Sequence, residues 1–255
     1  MGFGEIELSD SSDSRTAGYQ RWRKLAFFHW RVSAEILQSL IPPELTIEQF
    51  DGSAWLGVVP FSMEAIRPWW SPPVPGVSWF LETNVRTYVV DQRGVRGVWF
   101  FSLDANKQLA VTVARTFWHL PYKMATLTLR DTLDNHAAGT RRQIRYDGHR
   151  TDQPAADYSI SIEVNPDAVA RTALAGTLDH FLVERYILYA KDGSGRLVTG
   201  EVHHEPYRIL NVEIPRLAQS LTAAMGCTIG PERAPDHVVF SDGVSVRVSP
   251  LRSIA

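Results

Sequence analysis

Between Glu82 and Val89 the chain alternates strictly, with Glu82, Asn84, Arg86 and Tyr88 interleaved by Thr83, Val85, Thr87 and Val89. A period of two places the first set on one face of a strand and the second set on the other. One face carries hydrogen-bonding groups and the other packs. Ionisable side chains are thereby directed inward from a segment that otherwise reads as core, and the fold must enclose a pocket with charged walls or pair those charges with one another. Phe80 to Val90 and Val95 to Leu103 are both strand-like, joined by a turn at Asp91 to Gly94.

The rest of the chain is rich in strand patterns. Gln20 to Arg31 mixes Trp22, Leu25, Phe27, Phe28 and Trp30 with basic residues, as a strand with one buried side does. Ser33 stands where the N-cap of a short helix ending at Pro42-Pro43 belongs, and Thr46 to Phe50 with Ala54 to Phe61 reads as a hairpin. Leu109, Val113, Phe117 and Leu120 set a helix over Asn106 to Trp118, and Tyr122 to Arg130 alternates again. Further strands are expected at Arg142 to Tyr146, Tyr158 to Val164 and Leu197 to His204, with turns at Asp147-Gly148 and Asp192 to Gly195. Pro166 to Ala173 and Pro215 to Met225 read as helices, and His237 to Val248 as a hairpin about Asp242-Gly243. The expected class is mainly β (α+β), with residues 1–17 a flexible lead-in and 18–255 a single domain.

Composition narrows the function classes. With 26 Lys and Arg against 28 Asp and Glu, the net charge of −2 offers nucleic acid no electrostatic footprint. No segment reaches the ~18 apolar residues of a membrane span. Cys227 is the single cysteine, which excludes an internal disulfide and suits a reducing compartment, so the expected location is cytoplasmic. Assembly into a homo-oligomer is compatible with the sequence.

Several constellations bear on chemistry. Glu82 and Arg86 share a strand face, and Arg115 or Lys123 can approach them from neighbouring elements. An arginine there either anchors a ligand carboxylate bidentately or forms a structural ion pair with the glutamate. Lys123 shares a face with Ala125, Leu127 and Leu129, and a desolvated amine is the nucleophile that Schiff-base chemistry requires. Lying at the strand's start, its stem can equally run along apolar surface while the ammonium reaches water. In the proline-rich stretch Arg67 to Gly76, Trp69 and Trp70 are presented either as a stiff flap over a pocket or as a core or subunit contact.

No metal site is expected. His203 and His204 are adjacent, so a strand points them to opposite faces, and no His-Glu-x-x-His or cysteine cluster exists. No cofactor is expected either, since neither a phosphate-cradling glycine loop nor a dinucleotide fingerprint is present.

At Leu25 to Trp30, Asp51 to Phe61, Glu82 to Val89, Gly97 to Asp104, Ala114-Arg115, Leu120 to Tyr122, Glu184 to Tyr186 and His203, the chain resembles the YqjF-like family of uncharacterised bacterial proteins. That family is placed in the acetoacetate decarboxylase-like superfamily. The resemblance implies a closed, cone-like antiparallel β-barrel with a few peripheral helices and a pocket in its lumen. In acetoacetate decarboxylases a Pro-Lys-Lys motif follows the helix, the first lysine forming the Schiff base. Pro121, Tyr122 and Lys123 stand at the matching positions here, which puts a tyrosine where that lysine would be and leaves Lys123 as the candidate amine. Glu82 matches the decarboxylases' pocket glutamate. The expected ligand is a small carbonyl- or carboxylate-bearing molecule, held for lyase-type chemistry or simply bound. In the first case Glu82 handles protons, Arg86 and Arg115 anchor a carboxylate, Asn84, Tyr88 and Tyr122 contact the ligand's oxygens, and Lys123 is the amine. In the second the same residues only hold the ligand, and Trp69 and Trp70 cover it.

Overall fold

The computed structural model describes residues 16–108, 111–112, 119–136, 139–165 and 167–254. The chain opens with β1 (Gly18–Val32), α1 (Ala34–Gln38) and β2 (Leu45–Ile47), followed by β3 (Ala54–Pro68), β4 (Phe80–Asp91) and β5 (Arg96–Ala105). Three long strands come next, β6 (Tyr122–His136), β7 (Gly139–Arg150) and β8 (Ala156–Val164). After β9 (Arg171–Thr172) and α2 (Leu178–Val183) come β10 (Ile187–Lys191), β11 (Leu197–His203), β12 (Arg208–Ile209) and β13 (Glu213–Gln219). The chain ends with α3 (Leu221–Ala224), β14 (His237–Val248) and β15 (Arg252–Ser253).

Seven of these strands close a ring in the order β4, β5, β10, β11, β14, β1 and β3, with β3 returning to β4. Pairing is antiparallel around the ring except at the seam between β5 and β10, where Val98 and Trp99 run parallel to Leu188 and Tyr189. A closed ring removes free edges, and alternation along each strand then separates lumen from exterior. Phe27, Val59 and Phe61 belong to the inner cluster, whereas Phe28, Val58 and Val85 belong to the outer one. The outer face is covered mainly by a second sheet rather than by helices. Ile144, Tyr146, Tyr158, Ile160 and Ile162 of β7 and β8 belong to the same cluster as Phe28 and Val85. Both faces of β4 are therefore buried, and only the alternation of polar and apolar types marks which one is the lumen.

Several sequence expectations give way to tertiary pairing. Pro215 to Met225 is not one helix: β13 pairs Leu217, Ala218 and Gln219 with Ile160, Ser159 and Tyr158, and only Leu221–Ala224 is helical. Pro215, which has no N–H to donate, falls at the register shift between Glu213 and Arg216. The segment expected as a helix to Ala173 instead gives β9, paired with β12. β2 pairs with Val89 to Asp91 of β4 rather than with β3, so the expected hairpin reduces to a bridge between Phe50 and Ser53. Asp147-Gly148 and Asp242-Gly243 are not turns but lie within the continuous β7 and β14. At Gly243, φ is +134° and an added Cβ would stand 2.0 Å from the Trp22 carbonyl oxygen, so glycine serves close backbone approach rather than chain reversal. Of the expected helix over 106–118, the Val111 N–H donates to the Lys107 carbonyl at 3.0 Å. Arg115 and most of that segment lie outside the described residues.

The parallel seam depends on Gly97. A Cβ there would meet the Ile187 carbonyl oxygen at 2.7 Å and the Tyr189 ring at 2.7 Å, and backbone cannot yield without opening the ring. Gly97→Ala is expected to destabilise the protein by about 1–3 kcal/mol. Denaturant unfolding reads this directly, and an unchanged midpoint would show that the seam tolerates the extra carbon.

Candidate functional site

Alternation along β4 turns Glu82, Asn84 and Arg86 into the ring, where they line a cavity of about 280 Å³. The intervening residues face outward. Thr83 shares a 2.5 Å hydrogen bond with the Tyr158 hydroxyl, and the Thr87 hydroxyl donates to the Trp55 carbonyl at 2.9 Å. Opposite Glu82, the start of β6 runs parallel to the end of β5, pairing Leu103 with Tyr122 and Asp104 with Lys123. Consecutive strand residues cannot both face the lumen. Tyr122 does, and its hydroxyl donates to Glu82 Oε2 at 2.8 Å.

Glu82 is 2% exposed, and burial pushes its carboxyl up to about 8. The Tyr122 and Asn84 hydrogen bonds oppose that rise, while the nearby Asp104 charge adds to it. At neutral pH this side chain is mostly a neutral acid, able to donate a hydrogen bond. Burial beside Glu82 holds the Tyr122 hydroxyl well above the ordinary tyrosine range.

Arg86 differs in its pairing from the other buried arginines. Arg150 meets Asp104 at 2.8 Å and Arg185 meets Glu48 at 2.7 Å. Among the described residues Arg86 makes no ion pair: its Nη2 donates to the Leu182 carbonyl at 3.0 Å, and its buried Nε has no hydrogen-bond partner. Asn84 Oδ1 is likewise buried and unpartnered. A donor and an acceptor on one strand face are thus left open toward the cavity. An uncompensated buried charge costs several kcal/mol, which a bound anion would offset.

Tyr88 does not line the cavity but braces the structure beneath it. Its hydroxyl lies 2.7 Å from the Leu182 carbonyl and 2.8 Å from His29 Nε2. His29 Nδ1 lies 3.0 Å from His237 Nδ1, and His237 Nε2 lies 2.8 Å from Asp179. Burial, joined by the His237 and Arg86 charges, holds the His29 imidazole well below its ordinary value.

Of the residues expected at the site, the structure brings Glu82, Asn84, Arg86 and Tyr122 together. Lys123 is not brought to the cavity. Its neighbour Tyr122 takes the lumen, and the Lys123 ammonium donates to the Gln153 carbonyl at 3.0 Å in an exposed position. Trp69 and Trp70 are 64% and 71% exposed and do not line the cavity, although Val77 and Ser78, at the far end of the same loop, do. Arg185 and Tyr207 also line the cavity and were not expected as site residues, although Arg185 lies in the Glu184 to Tyr186 stretch of the resemblance. For Arg185 a signal existed, a charge embedded in the apolar run from Leu178 to Tyr189. Among the described residues no three His, Cys, Asp or Glu side chains form a metal-binding group. No helix among them is long and apolar enough to cross a membrane.

The chain belongs to the DUF2071 family, described as an uncharacterized conserved protein, whose model matches residues 19–245. It is 35% identical over 216 residues to the uncharacterized protein YqjF of Bacillus subtilis (strain 168), covering 85% of this chain and 84% of that one. Among solved structures, an acetoacetate decarboxylase-like enzyme from Sphingomonas wittichii RW1 superposes with a TM-score of 0.61 at 14% identity, over the whole of both chains. The enduracididine biosynthesis enzyme MppR, solved in complex with pyruvate, gives 0.60 at 14% identity, covering 100% of this chain and 99% of that one. These likenesses establish the acetoacetate decarboxylase-like fold.

Proposed function

We propose that this member of the DUF2071 family binds a small carboxylate-bearing carbonyl compound in its lumen and, through Glu82 and Tyr122, performs lyase-type proton chemistry on it. The observation that carries the reading is that a buried carboxyl group, which burial favours in its neutral form, and an arginine without a counter-ion among the described residues line the same cavity. The guanidinium would hold the anionic end, and Asn84 Oδ1, an acceptor, would take a ligand O–H or N–H. For a 3-oxo acid the bond between the carboxylate and the α-carbon would break, releasing CO2 and leaving its electron pair in an enolate whose oxygen the Glu82 carboxyl hydrogen-bonds. A proton delivered to the α-carbon would complete the ketone. The pyruvate complex of MppR supports a ligand of this class.

A second reading, a binding barrel without chemistry, is favoured by one observation: no lysine lines the cavity among the described residues, and Lys123 points elsewhere. Two measurements separate the readings. Calorimetry with a panel of small keto acids should show binding, and proton NMR of the same mixtures should show turnover that Glu82→Gln strongly slows. Binding without turnover would leave the binding barrel. Borohydride treatment with acetoacetate or pyruvate should leave the protein mass unchanged, and an adduct at Lys123 would replace the acid mechanism with an amine one.

A further inference from the structure

The cavity is larger and less polar than a compact keto acid requires. Its volume of about 280 Å³ equals roughly nine water molecules at ~30 Å³ each, so a molecule the size of pyruvate would leave much of it empty. Its polar groups are also unevenly placed. Arg86 lies toward the closed end, above buried Tyr88 and His29, whereas Phe61, Met63, Ile66, Val77 and Phe80 line the opposite end. Val77 is 36% exposed and lines the cavity, which marks an opening there. From Phe80 to Arg86 the strand rises by roughly 20 Å, or about 15 Å along the axis at the usual tilt of barrel strands.

We propose that the ligand is an amphipathic acid: a carboxylate head on Arg86 and an aliphatic tail running along the lumen to the rim at Ile66 and Val77. This rests on the carboxylate-binding reading above and extends it. Charge complementarity fixes the orientation, because Arg86 is a cation without a counter-ion among the described residues, whereas the rim carries no charge and only Gln20 and Ser78 as polar groups among Ile66, Val77 and Phe80. The loop that ends in the lining residues Val77 and Ser78 also carries Trp69 and Trp70, 64% and 71% exposed, and Trp79, between the lining residues Ser78 and Phe80, is 42% exposed. A tail that emerged beside Trp79 would meet an indole rather than water, which gives that exposed side chain a use. An extended chain gains about 1.2 Å per bond, so about twelve bonds span the distance from Arg86 to the rim.

Calorimetry of the wild-type chain with straight-chain carboxylic and 3-oxo acids of about four to about fourteen carbons tests this. Affinity is expected to rise by about two- to four-fold per methylene and to level off once the chain passes the rim. Ile66→Trp, which fills the rim from inside, should move that plateau to shorter acids. Should that variant fail to fold, Val77→Trp at the exposed rim serves the same purpose. Arg86→Met should weaken every acid in the series. Short and long acids of equal affinity would overturn the tail while leaving the carboxylate reading intact. Long acids that bind Arg86→Met as tightly as wild type would overturn the orientation, and absence of binding by any acid would remove both.

Discussion

Glu82→Gln is expected to raise stability at pH 8 and to flatten its dependence on pH. The folded protein holds the Glu82 proton up to about pH 8, whereas the unfolded chain releases it near 4.5. Between those values the native state binds the extra proton, so its contribution is complete below about 4.5 and is lost as pH rises through 8. The loss by pH 8 is roughly 4 kcal/mol, or on the order of 10 °C in Tm for a chain of this size. Glutamine resembles the protonated acid, can still accept from the Tyr122 hydroxyl, and cannot ionise. Urea denaturation of both proteins at pH values of about 5 and about 8 isolates this one group, because other titrations are shared. Parallel pH slopes in the two proteins would show that Glu82 is ionised in the fold. The same substitution should lower any turnover by about 10²- to 10⁴-fold, since it removes the transferable proton.

Arg86→Met is expected to act in opposite directions on binding and stability. Losing the buried guanidinium should weaken a carboxylate ligand by about 2–4 kcal/mol, roughly 30- to 1,000-fold in Kd. The ligand-free fold, relieved of a charge without a counter-ion, should be as stable as wild type or more so. The Leu182 carbonyl keeps the Tyr88 hydroxyl at 2.7 Å as its donor, and methionine gives the Phe27 ring, over which the guanidinium lies, an apolar neighbour instead. Calorimetry and thermal unfolding, run on one preparation, give both signs. A large loss of stability without ligand would identify Arg86 as a structural group, and unchanged affinity would place the anion elsewhere.

The strand-rich class, the face carrying Glu82, Asn84 and Arg86, and the turns at Asp91 to Gly94 and Asp192 to Gly195 were all readable from the chain. Each follows from local backbone geometry, a period of two or a glycine-containing reversal, that neighbouring residues impose on one another. The turns expected at Gly148 and Gly243 looked the same in sequence. There the cause was an aromatic ring or a carbonyl brought close from a distant strand, a Tyr158 ring atom at 2.1 Å from an added Cβ in one case and the Trp22 oxygen in the other. Leu217 has helical spacing in sequence but became a strand because β8 offered an edge that needed pairing. At the site, sequence presented Tyr122 and Lys123 as adjacent candidates with no means of choosing between them. The pairing of Leu103 with Tyr122 chose, by sending the hydroxyl inward to Glu82 and the ammonium outward to Gln153. Residue types and their alternation therefore determined which side chains could share a wall. Ring closure and the covering sheet decided which of them lost water and which lacked a partner, because desolvation and counter-charge are properties of the surroundings rather than of the residue.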